Sequence, residues 1–515
     1  MTTTFGAVPA RAARPVASPA TVVLAVIAGT AIARLVLAAF SGLGTDESYM
    51  VGMARHPSLS YVDHPPLHVW IVSATAALTG SEAPFILRLP FIALFAGSTW
   101  LMFALGRRLF GARAGMWAAI AFNLAPVFTL AHGSWVLPDG PLIFAMLASA
   151  NAVARVALSD APPRNPIAWW LAAGLFAGLA LLSKLHGLLV VAGTFLFLLT
   201  TSAGRRQLAT PGPWLAAALA FLLFLPVIVW NVANAGSGIG FQASRLGTDG
   251  LRLDTFLASL GGQVGYLTPV LFVPLAVCLA RALVAGPRQP RGWFLALLAA
   301  GPVLAFTLAS LTARGLPHWQ MPGWLFAFPL LGHAIATIAP ARAPVVRIVA
   351  VALAGVLAVA SLAMALQVAT GAVQRVAGPD GTRFDPTADL VDWTALRPAL
   401  AERGLLRPDL PVAAAKWSIA GKVNYALGGA APVVCLCDRQ NHFEHVADWR
   451  GFAGRDMVLV ARKEDEARRA AAFASRFASL EPVGEVEVER AGTTVLSLVV
   501  WLGRDLVADP SAAAR

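Results

Sequence analysis

The sequence predicts a polytopic α-helical membrane protein that ends in a small α/β domain. Of its 515 residues, 57% are hydrophobic and 13% are charged, and the mean hydropathy is +0.69. Soluble globular proteins carry about 25% charged residues. Apolar runs of about 17–25 residues, the length that crosses a hydrocarbon core, recur along most of the chain, and the alternation typical of a membrane β-barrel is missing. We therefore expect a bundle of about 11 transmembrane helices.

The first transmembrane helix is predicted to follow a cytoplasmic tail, residues 1–17. The apolar run after this tail is long enough to span and lacks a clear cleavage site, so we expect an uncleaved helix rather than a signal peptide. Residues 67–78 are apolar but short, which fits a re-entrant or interfacial helix or the start of another span. The transmembrane region covers residues 18–369, its first outer loop covers 41–66, and the predicted spans are 18–40, 84–105, 115–131, 140–158, 167–182, 185–201, 214–232, 255–284, 293–311, 322–338 and 345–368.

The arginines predict the topology of these spans. With the N-terminus in the cytoplasm, every cytoplasmic loop carries at least two arginines, whereas the loops on the other side carry mostly single, scattered cations. The cytoplasmic arginines are, loop by loop, Arg11 and Arg14; Arg107, Arg108 and Arg113; Arg155 and Arg164; Arg205 and Arg206; Arg281, Arg288 and Arg291; and Arg342 and Arg347. This positive-inside pattern predicts an odd number of spans and an external C-terminus. It also accounts for much of the net charge of +12, so nucleic acid is not an expected partner.

The chain changes character after Thr370, where charged residues, turns and short strand-like runs replace the long apolar segments. We expect an α/β domain at residues 370–504, followed by a frayed tail at 505–515. Its predicted strands are 431–437, 456–461, 482–488 and 493–501, and its predicted helices are 416–427 and 464–478. Cys435 and Cys437 are too close to indicate a disulfide framework, and their spacing favours one face of a strand over a metal site.

A set of polar residues falls on the outer side of this topology, in loops or at helix ends. The set comprises Asp46, Glu47, Asp63, His64, His132, Asp139, Lys184, His186, His318 and Trp319. Most have an ordinary explanation: Asp46, Glu47 and Asp139 cap helices, the lysine snorkels, the histidine before Pro65 belongs to a turn, and the last pair belongs to an interfacial aromatic belt. Their coincidence on one face instead indicates a catalytic chamber at one membrane surface.

The motifs that contain these residues resemble the bacterial branch of the dolichyl-phosphate-mannose protein mannosyltransferase family. This branch includes the lipid A aminoarabinose and galacturonosyl transferases, which are membrane glycosyltransferases of the GT-C class. The resemblance covers roughly residues 15–340, and the order and spacing of the motifs are more specific than any one of them. The matching segments are Asp46-Glu47-Ser48-Tyr49, Asp63-His64-Pro65-Pro66-Leu67, Leu87-Arg88-Leu89-Pro90, Pro138-Asp139-Gly140-Pro141, Leu182-Ser183-Lys184-Leu185-His186-Gly187 and His318-Trp319.

The resemblance implies a GT-C fold and a polyprenyl-phosphate sugar as the donor, used at the non-cytoplasmic face of the bacterial inner membrane. The acceptor would be an envelope component: the lipid A or lipopolysaccharide core, another glycan, a lipid or a protein. An acceptor hydroxyl needs a base, for which we assign Asp46, with Glu47 and Asp139 orienting the substrate or holding a cation. A phosphate leaving group needs cations or hydrogen-bond donors, and Lys184, His64 and Arg88 are the candidates. The remaining expected substrate-binding residues are Tyr49, Asp63, His186, His318 and Trp319.

One departure and two alternatives qualify this interpretation. The aminoarabinose transferase has lysine where this chain has His64, and an unperturbed histidine is only partly charged near neutral pH. No cofactor is certain, although Asp46, Glu47 and Asp139 are the carboxylates that would hold a divalent ion. The alternatives are a lipid or glycan flippase, which would need charge near the membrane midplane, and a non-catalytic envelope assembly protein. An enzyme of this family requires that Asp46, Asp139, Lys184 and His318 line one cavity.

Overall fold

The membrane region consists of helices at most of the predicted apolar runs. The structure, a computed structural model, describes residues 17–161, 163–245, 250–437 and 439–507, so Arg11, Arg14 and residues 508–515 of the two predicted tails lie outside the described residues. The helices are α1 (Pro19–Phe40), α2 (Thr45–Ala54), α3 (Leu67–Thr79), α4 (Pro84–Phe110), α5 (Ala112–Leu124), α6 (Asp139–Ala157), α7 (Pro166–Ser183), α8 (Gly187–Thr200), α9 (Ser202–Leu208), α10 (Gly212–Ala233), α11 (Ser237–Ser244), α12 (Leu253–Leu267), α13 (Pro269–Ala285), α14 (Pro290–Ala309), α15 (Met321–Trp324), α16 (Phe328–Ala336) and α17 (Ala343–Thr370).

Within the described ranges, eight helical segments are long and apolar enough to cross a membrane. They are Pro19–Phe40, Pro84–Phe110, Asp139–Ala157, Pro166–Ser183, Gly212–Ala233, Pro269–Arg288, Pro290–Ala309 and Pro340–Thr370. Counting α8 and α9, which meet at a bend of 106°, as one further span gives nine in these ranges. The protein is therefore a multi-span membrane protein, and the expected count of 11 stays a prediction. Residues 67–78 form α3, a short apolar helix of 13 residues.

Three predicted spans are interrupted. The run 255–284 divides into α12 and α13 at Thr268, whose φ is +65° and which is followed by Pro269. The run 115–131 divides after α5, where Pro126 precedes a π-helical turn, Val127–Ala131. Proline lacks the N–H that continues a helix, and its ring clashes with the carbonyl of the residue four positions earlier. Both breaks therefore have a local cause. The run 322–338 contains a 3-10 turn between α15 and α16.

The C-terminal domain is a five-stranded mixed sheet with short helices. Its strands are β1 (Val412–Ala414), β2 (Val433–Cys435), β3 (Met457–Arg462), β4 (Phe477–Arg490) and β5 (Thr493–Leu506), in the order β2-β1-β3-β5-β4. β1 pairs in parallel with β2 and β3, whereas β5 is antiparallel to β3 and β4. The predicted α/β class is confirmed, but β1 was not predicted, and β5 continues past the expected boundary at residue 504. The helices here are α18 (Ala372–Ala377), α19 (Leu396–Glu402), α20 (Trp417–Leu427), α21 (Phe443–Val446) and α22 (Glu466–Ala474).

Cys435 and Cys437 differ from expectation. The two sulfurs are joined in a disulfide, with Cα atoms 5.1 Å apart and one residue between them. Cys435 is the last residue of β2, and the chain leaves the strand after it. The two cysteines are therefore not on one face of a strand, because Cys435 belongs to β2 and Cys437 lies after β2 has ended.

The C-terminal domain packs directly on α2. A Cβ atom at Gly421 of α20 would lie 2.9 Å from the Cα of Tyr49, so only glycine permits this approach. The buried Nζ of Lys422 donates to the backbone carbonyl of Leu43, 2.5 Å away, and to those of Asp389 and Val391. These contacts join the C-terminal domain to the loop that precedes α2, so both lie at the same end of the helical bundle.

Candidate active site

A cavity of about 530 Å³ opens where α2, the start of α6, the end of α7 and the C-terminal domain meet. This volume is within the usual range for small-molecule sites. Eight of the eleven residues predicted for the site line it, namely Asp46, Tyr49, Asp63, His64, Asp139, Lys184, His318 and Trp319. The structure thus brings together the four residues whose convergence an enzyme requires.

Lys184 and Asp139 form a buried ion pair in this cavity. The Nζ atom of Lys184 lies 3.1 Å from Oδ1 and 3.3 Å from Oδ2 of Asp139. Asp139 is the first residue of α6, and Lys184 is the residue at which α7 ends, so two helix ends hold the pair. His132 lies beside it, with Nε2 at 3.8 Å from Oδ1 of Asp139. The anion that this lysine requires inside the membrane region is therefore supplied by the protein itself.

The carboxylate of Asp46 is the free acid of the cavity. It lies in the first turn of α2, is exposed to the cavity, and has no hydrogen bond or ion pair with any residue in the described ranges. Burial by the surrounding protein and the adjacent charge of Glu47 raise the pKa of Asp46. A carboxylate with a raised pKa is a stronger base than an ordinary one, which suits proton abstraction.

Tyr49 and Asp63 connect the cavity to the C-terminal domain. The hydroxyl of Tyr49 donates to the carboxylate of Asp63, and the backbone N–H of His442 donates to the same hydroxyl at 2.9 Å. Burial raises the pKa of Asp63 to about 6. This domain therefore forms part of the cavity wall, to which Trp417, Arg439 and Gln440 also contribute.

Glu47 and Arg88 are adjacent to the cavity but do not line it. The carboxylate of Glu47 accepts from Nε and Nη2 of Arg88 at 2.9 and 2.6 Å and from the backbone N–H groups of Val136 and Gly44 at 2.9 and 2.8 Å. Arg88 also donates to Ser41 and Gly42, which uses all five of its N–H groups. Arg88 has no donor left for a phosphate, so the structure replaces its expected role with one of fixing α2 in position.

The histidines of the set have different surroundings. His64 and His318 line the cavity, and burial lowers the pKa of both, to about 3 for His318. Both rings are therefore expected to be neutral rather than cationic near neutral pH. His186 does not line the cavity, since its ring stacks on Phe306 with the centroids 4.4 Å apart.

Two arginines that line the cavity were not predicted as phosphate ligands. The guanidinium of Arg245, at the end of α11, lies 4.5 Å from the ring centroid of Trp319, and that of Arg439 lies 5.0 Å from the ring centroid of Phe241. Arg245 gave one usable signal: together with Arg252 it lies in a loop on the predicted outer side, where positive-inside topology does not require arginines.

The carboxylates do not fit a metal ion. No group of three metal-ligating side chains occurs in the residues that the structure describes. Of the three acids that were candidates, Glu47 already accepts four hydrogen bonds and Asp139 is paired with Lys184. Only Asp46 keeps its oxygens free, and one carboxylate is too few for a dedicated divalent site.

Comparison with known proteins agrees with this architecture. Residues 63–230 match the sequence model of the family described as dolichyl-phosphate-mannose-protein mannosyltransferase. The chain is 24% identical over 306 residues to the lipid A galacturonosyltransferase RgtD of Rhizobium johnstonii, a match that spans 59% of this chain and 63% of that relative, less than two thirds of its length.

Two solved structures have the same fold. ArnT from Cupriavidus metallidurans, solved with undecaprenyl phosphate, superposes with a TM-score of 0.62 at 16% identity, covering 93% of this chain and 97% of that one. The archaeal oligosaccharyltransferase AglB from Archaeoglobus fulgidus, in complex with an inhibitory peptide and a dolichol-phosphate, superposes with a TM-score of 0.51 at 13% identity, covering 88% and 71%. The fold is that of the GT-C class of membrane glycosyltransferases. Within that class, the sequence similarity to the dolichyl-phosphate-mannose-protein mannosyltransferase family lies in residues 63–230.

Proposed function

We propose that the protein transfers one sugar from a polyprenyl-phosphate donor to a hydroxyl or phosphate of an envelope acceptor. The reaction takes place at the non-cytoplasmic face of the bacterial inner membrane. The observation that carries this proposal is the free carboxylate of Asp46 in a cavity that also holds the cations Lys184, Arg245 and Arg439. A base and a phosphate-binding group are the two elements that such a transfer needs.

Asp46 is the general base of the proposed reaction. It accepts the proton of the acceptor group as the acceptor oxygen forms a bond to the anomeric carbon of the sugar. The bond between that carbon and the phosphate oxygen breaks, and its electrons remain on the polyprenyl phosphate. The proton thus passes to Asp46 and the negative charge to the leaving group, which keeps the step balanced.

The cations stabilise the leaving phosphate. Arg245 and Arg439 have planar guanidinium groups suited to phosphate oxygens, and Lys184 adds a point charge whose position Asp139 fixes. His318 and His64 supply neutral N–H donors, which agrees with the lowered pKa of each ring. Tyr49, Asp63 and Trp319 form the surrounding wall that contacts the sugar or acceptor. Glu47, Arg88 and His186 act as positioning residues behind the wall.

The relatives support the chemical class of the donor and the kind of acceptor. ArnT was solved with undecaprenyl phosphate and AglB with a dolichol-phosphate, and both ligands are polyprenyl-type lipid phosphates. RgtD is named as a lipid A galacturonosyltransferase, which makes lipid A or the attached core the first acceptor to test. A flippase is less well supported, because Asp139 and Lys184 lie at helix ends and not at broken helices in the middle of a span.

Mass spectrometry of envelope lipids and glycans from a deletion strain tests the proposal. We expect one envelope component to lack one sugar, wild-type protein to restore it, and Asp46→Asn to fail at normal expression. Asp409→Asn is the matched control, because its side chain is 74% exposed in the C-terminal domain. Full restoration by Asp46→Asn, or an unchanged set of sugars in the deletion strain, would contradict the proposal.

A further inference from the structure

A second cavity lies behind the first one, in the membrane region between α1, α5 and α17. Its volume is about 760 Å³, and its wall is largely aliphatic. The polar groups in that wall are the side chains of Thr30, Arg34, Asn123, Thr129, Arg347 and Ser361. α17 forms one side of this cavity, and the most apolar stretch of α17 has no buried residue. The cavity is therefore a groove at the lipid-facing surface of the helical bundle.

Arg34 is the unusual member of this wall. The side chain is 3% exposed, its Nε donates to the carbonyl of Thr129 at 3.1 Å, and its Nη2 has no partner among the described residues. No carboxylate in the described ranges pairs with it, and the ring of Phe95 lies beside it, with the ring centroid 4.2 Å from the guanidinium carbon. A buried, charged guanidinium with a vacant donor is costly within a membrane and normally has an anionic partner.

We infer that this groove binds an anionic phospholipid, whose phosphodiester accepts hydrogen bonds from Arg34 while an acyl chain lies between α1 and α17. Arg34 is six residues before the end of α1, about 9 Å along the helix axis, so it lies close to one end of this membrane span. Arginine is the residue best suited to bind a phosphate through two N–H groups.

The polyprenyl donor is a different ligand from this lipid. The π-helical turn Val127–Ala131 separates the two cavities, with Thr129 facing the groove, Val127 and Ala131 facing the catalytic cavity, and Leu130 contributing to both. A phosphate bound to Arg34 therefore lies across that turn from Asp46 and Lys184. One phosphate cannot occupy both sites, and the inference does not depend on the proposed transferase activity.

Native mass spectrometry of the full-length protein in detergent tests the site. The probes are phosphatidylglycerol, phosphatidylcholine with the same acyl chains, undecaprenyl phosphate and inorganic phosphate. We expect phosphatidylglycerol to bind more tightly than phosphatidylcholine, and Arg34→Met to weaken its binding about tenfold, the effect of losing a charge-assisted contact. Arg34→Lys should retain most of the binding, because it keeps the charge.

Arg342→Met is the matched control, because Arg342 is an exposed arginine directly before α17 and does not line the groove. Its phosphatidylglycerol binding should stay within about twofold of wild type, a margin well below that of a lost charge-assisted contact. Three results would overturn the inference: equal losses in both variants, no preference for phosphatidylglycerol, or Arg34-dependent binding of undecaprenyl phosphate that displaces phosphatidylglycerol. Binding of inorganic phosphate alone would also overturn it. An unchanged melting temperature in Arg34→Met excludes misfolding, and Arg34→Gln serves if the methionine variant fails this check.

Discussion

Lys184 and Asp139 neutralise each other inside the candidate active site, with 3.1 Å between Nζ and Oδ1 and with both side chains about 95% buried. The sequence predicted that this lysine binds the donor phosphate. In the structure this lysine is already paired with Asp139, so a donor phosphate that contacts Lys184 would share the lysine with that carboxylate. Three carboxylates and three cations line the cavity, which is formally neutral before any ligand binds.

The Asp139–Lys184 pair predicts a specific pattern of stability and activity. Lys184→Met or Asp139→Asn alone should lower the free energy of unfolding by about 3–5 kcal/mol, because each leaves a buried charge without its partner. The double variant should recover much of that stability but none of the activity, since the phosphate loses a cation. Thermal unfolding in detergent and donor titration measure the two effects. Additive losses of stability would show that the pair is not coupled.

Asp46→Asn should reduce turnover by about 10²–10⁴-fold, the usual contribution of a general base. Stability should be unchanged, because this carboxylate makes no hydrogen bond with the described residues. In the wild type, activity should fall as the pH drops through the raised pKa of Asp46, because protonation removes the base. A purified assay with a labelled donor measures both. Near-normal turnover would reduce Asp46 to a helix-capping role.

Glu47→Gln should impair activity indirectly, through the position of α2. The carboxylate holds Arg88 and two backbone N–H groups, and breaking a buried ion pair costs about 3–5 kcal/mol. We expect a lower melting temperature together with a reduced rate. The apparent KM for the donor should be unaltered in the fraction that remains folded, because Glu47 does not line the cavity. A large increase in that KM at normal stability would place Glu47 in direct contact with substrate.

Asp63 should make stability depend on pH. Its folded-state pKa of about 6 is higher than the value of about 3.9 in an unfolded chain. Its contribution to stability is therefore fully present below about pH 4 and is lost as the pH rises through about 6. The change should be at most about 3 kcal/mol and should disappear in Asp63→Asn. Melting temperatures between pH 4 and 8 test this, and an identical profile in the variant would refute it.

Reporter fusions test the sidedness that the arginines predict. Alkaline phosphatase fused after Pro386 should be active, because the C-terminal domain is expected outside the cytoplasm together with Asp46. The same enzyme fused in the loop of Arg205 and Arg206 should be inactive. The opposite pattern would reverse the assignment of the membrane faces, although the contact between the domain and α2 would still keep both at one end.

The sequence revealed the site better than it revealed the surroundings of the site. Asp46, Asp139, Lys184 and His318 could be assigned to one side because each lies near the end of an apolar run, and apolar runs set depth in a membrane. The partner of Glu47 could not be found, because Arg88 is 41 residues away and pairing depends on helix packing. β1 has only three residues, too few for a periodic pattern. The break at Pro269 was visible in principle, since a proline after threonine marks a helix boundary.

The formal neutrality of the empty chamber has a consequence for turnover. A sugar phosphodiester brings one negative charge, and the proposed reaction leaves a phosphomonoester with two and a proton on Asp46, so the total is unchanged at the moment of transfer. The imbalance appears only when Asp46 releases that proton to water. From then on the ionised carboxylate of Asp46 repels the polyprenyl phosphate at close range, which favours release of the polyprenyl phosphate. In the proposed reaction, deprotonation of Asp46 thus both restores the base for the next turnover and promotes release of the polyprenyl phosphate.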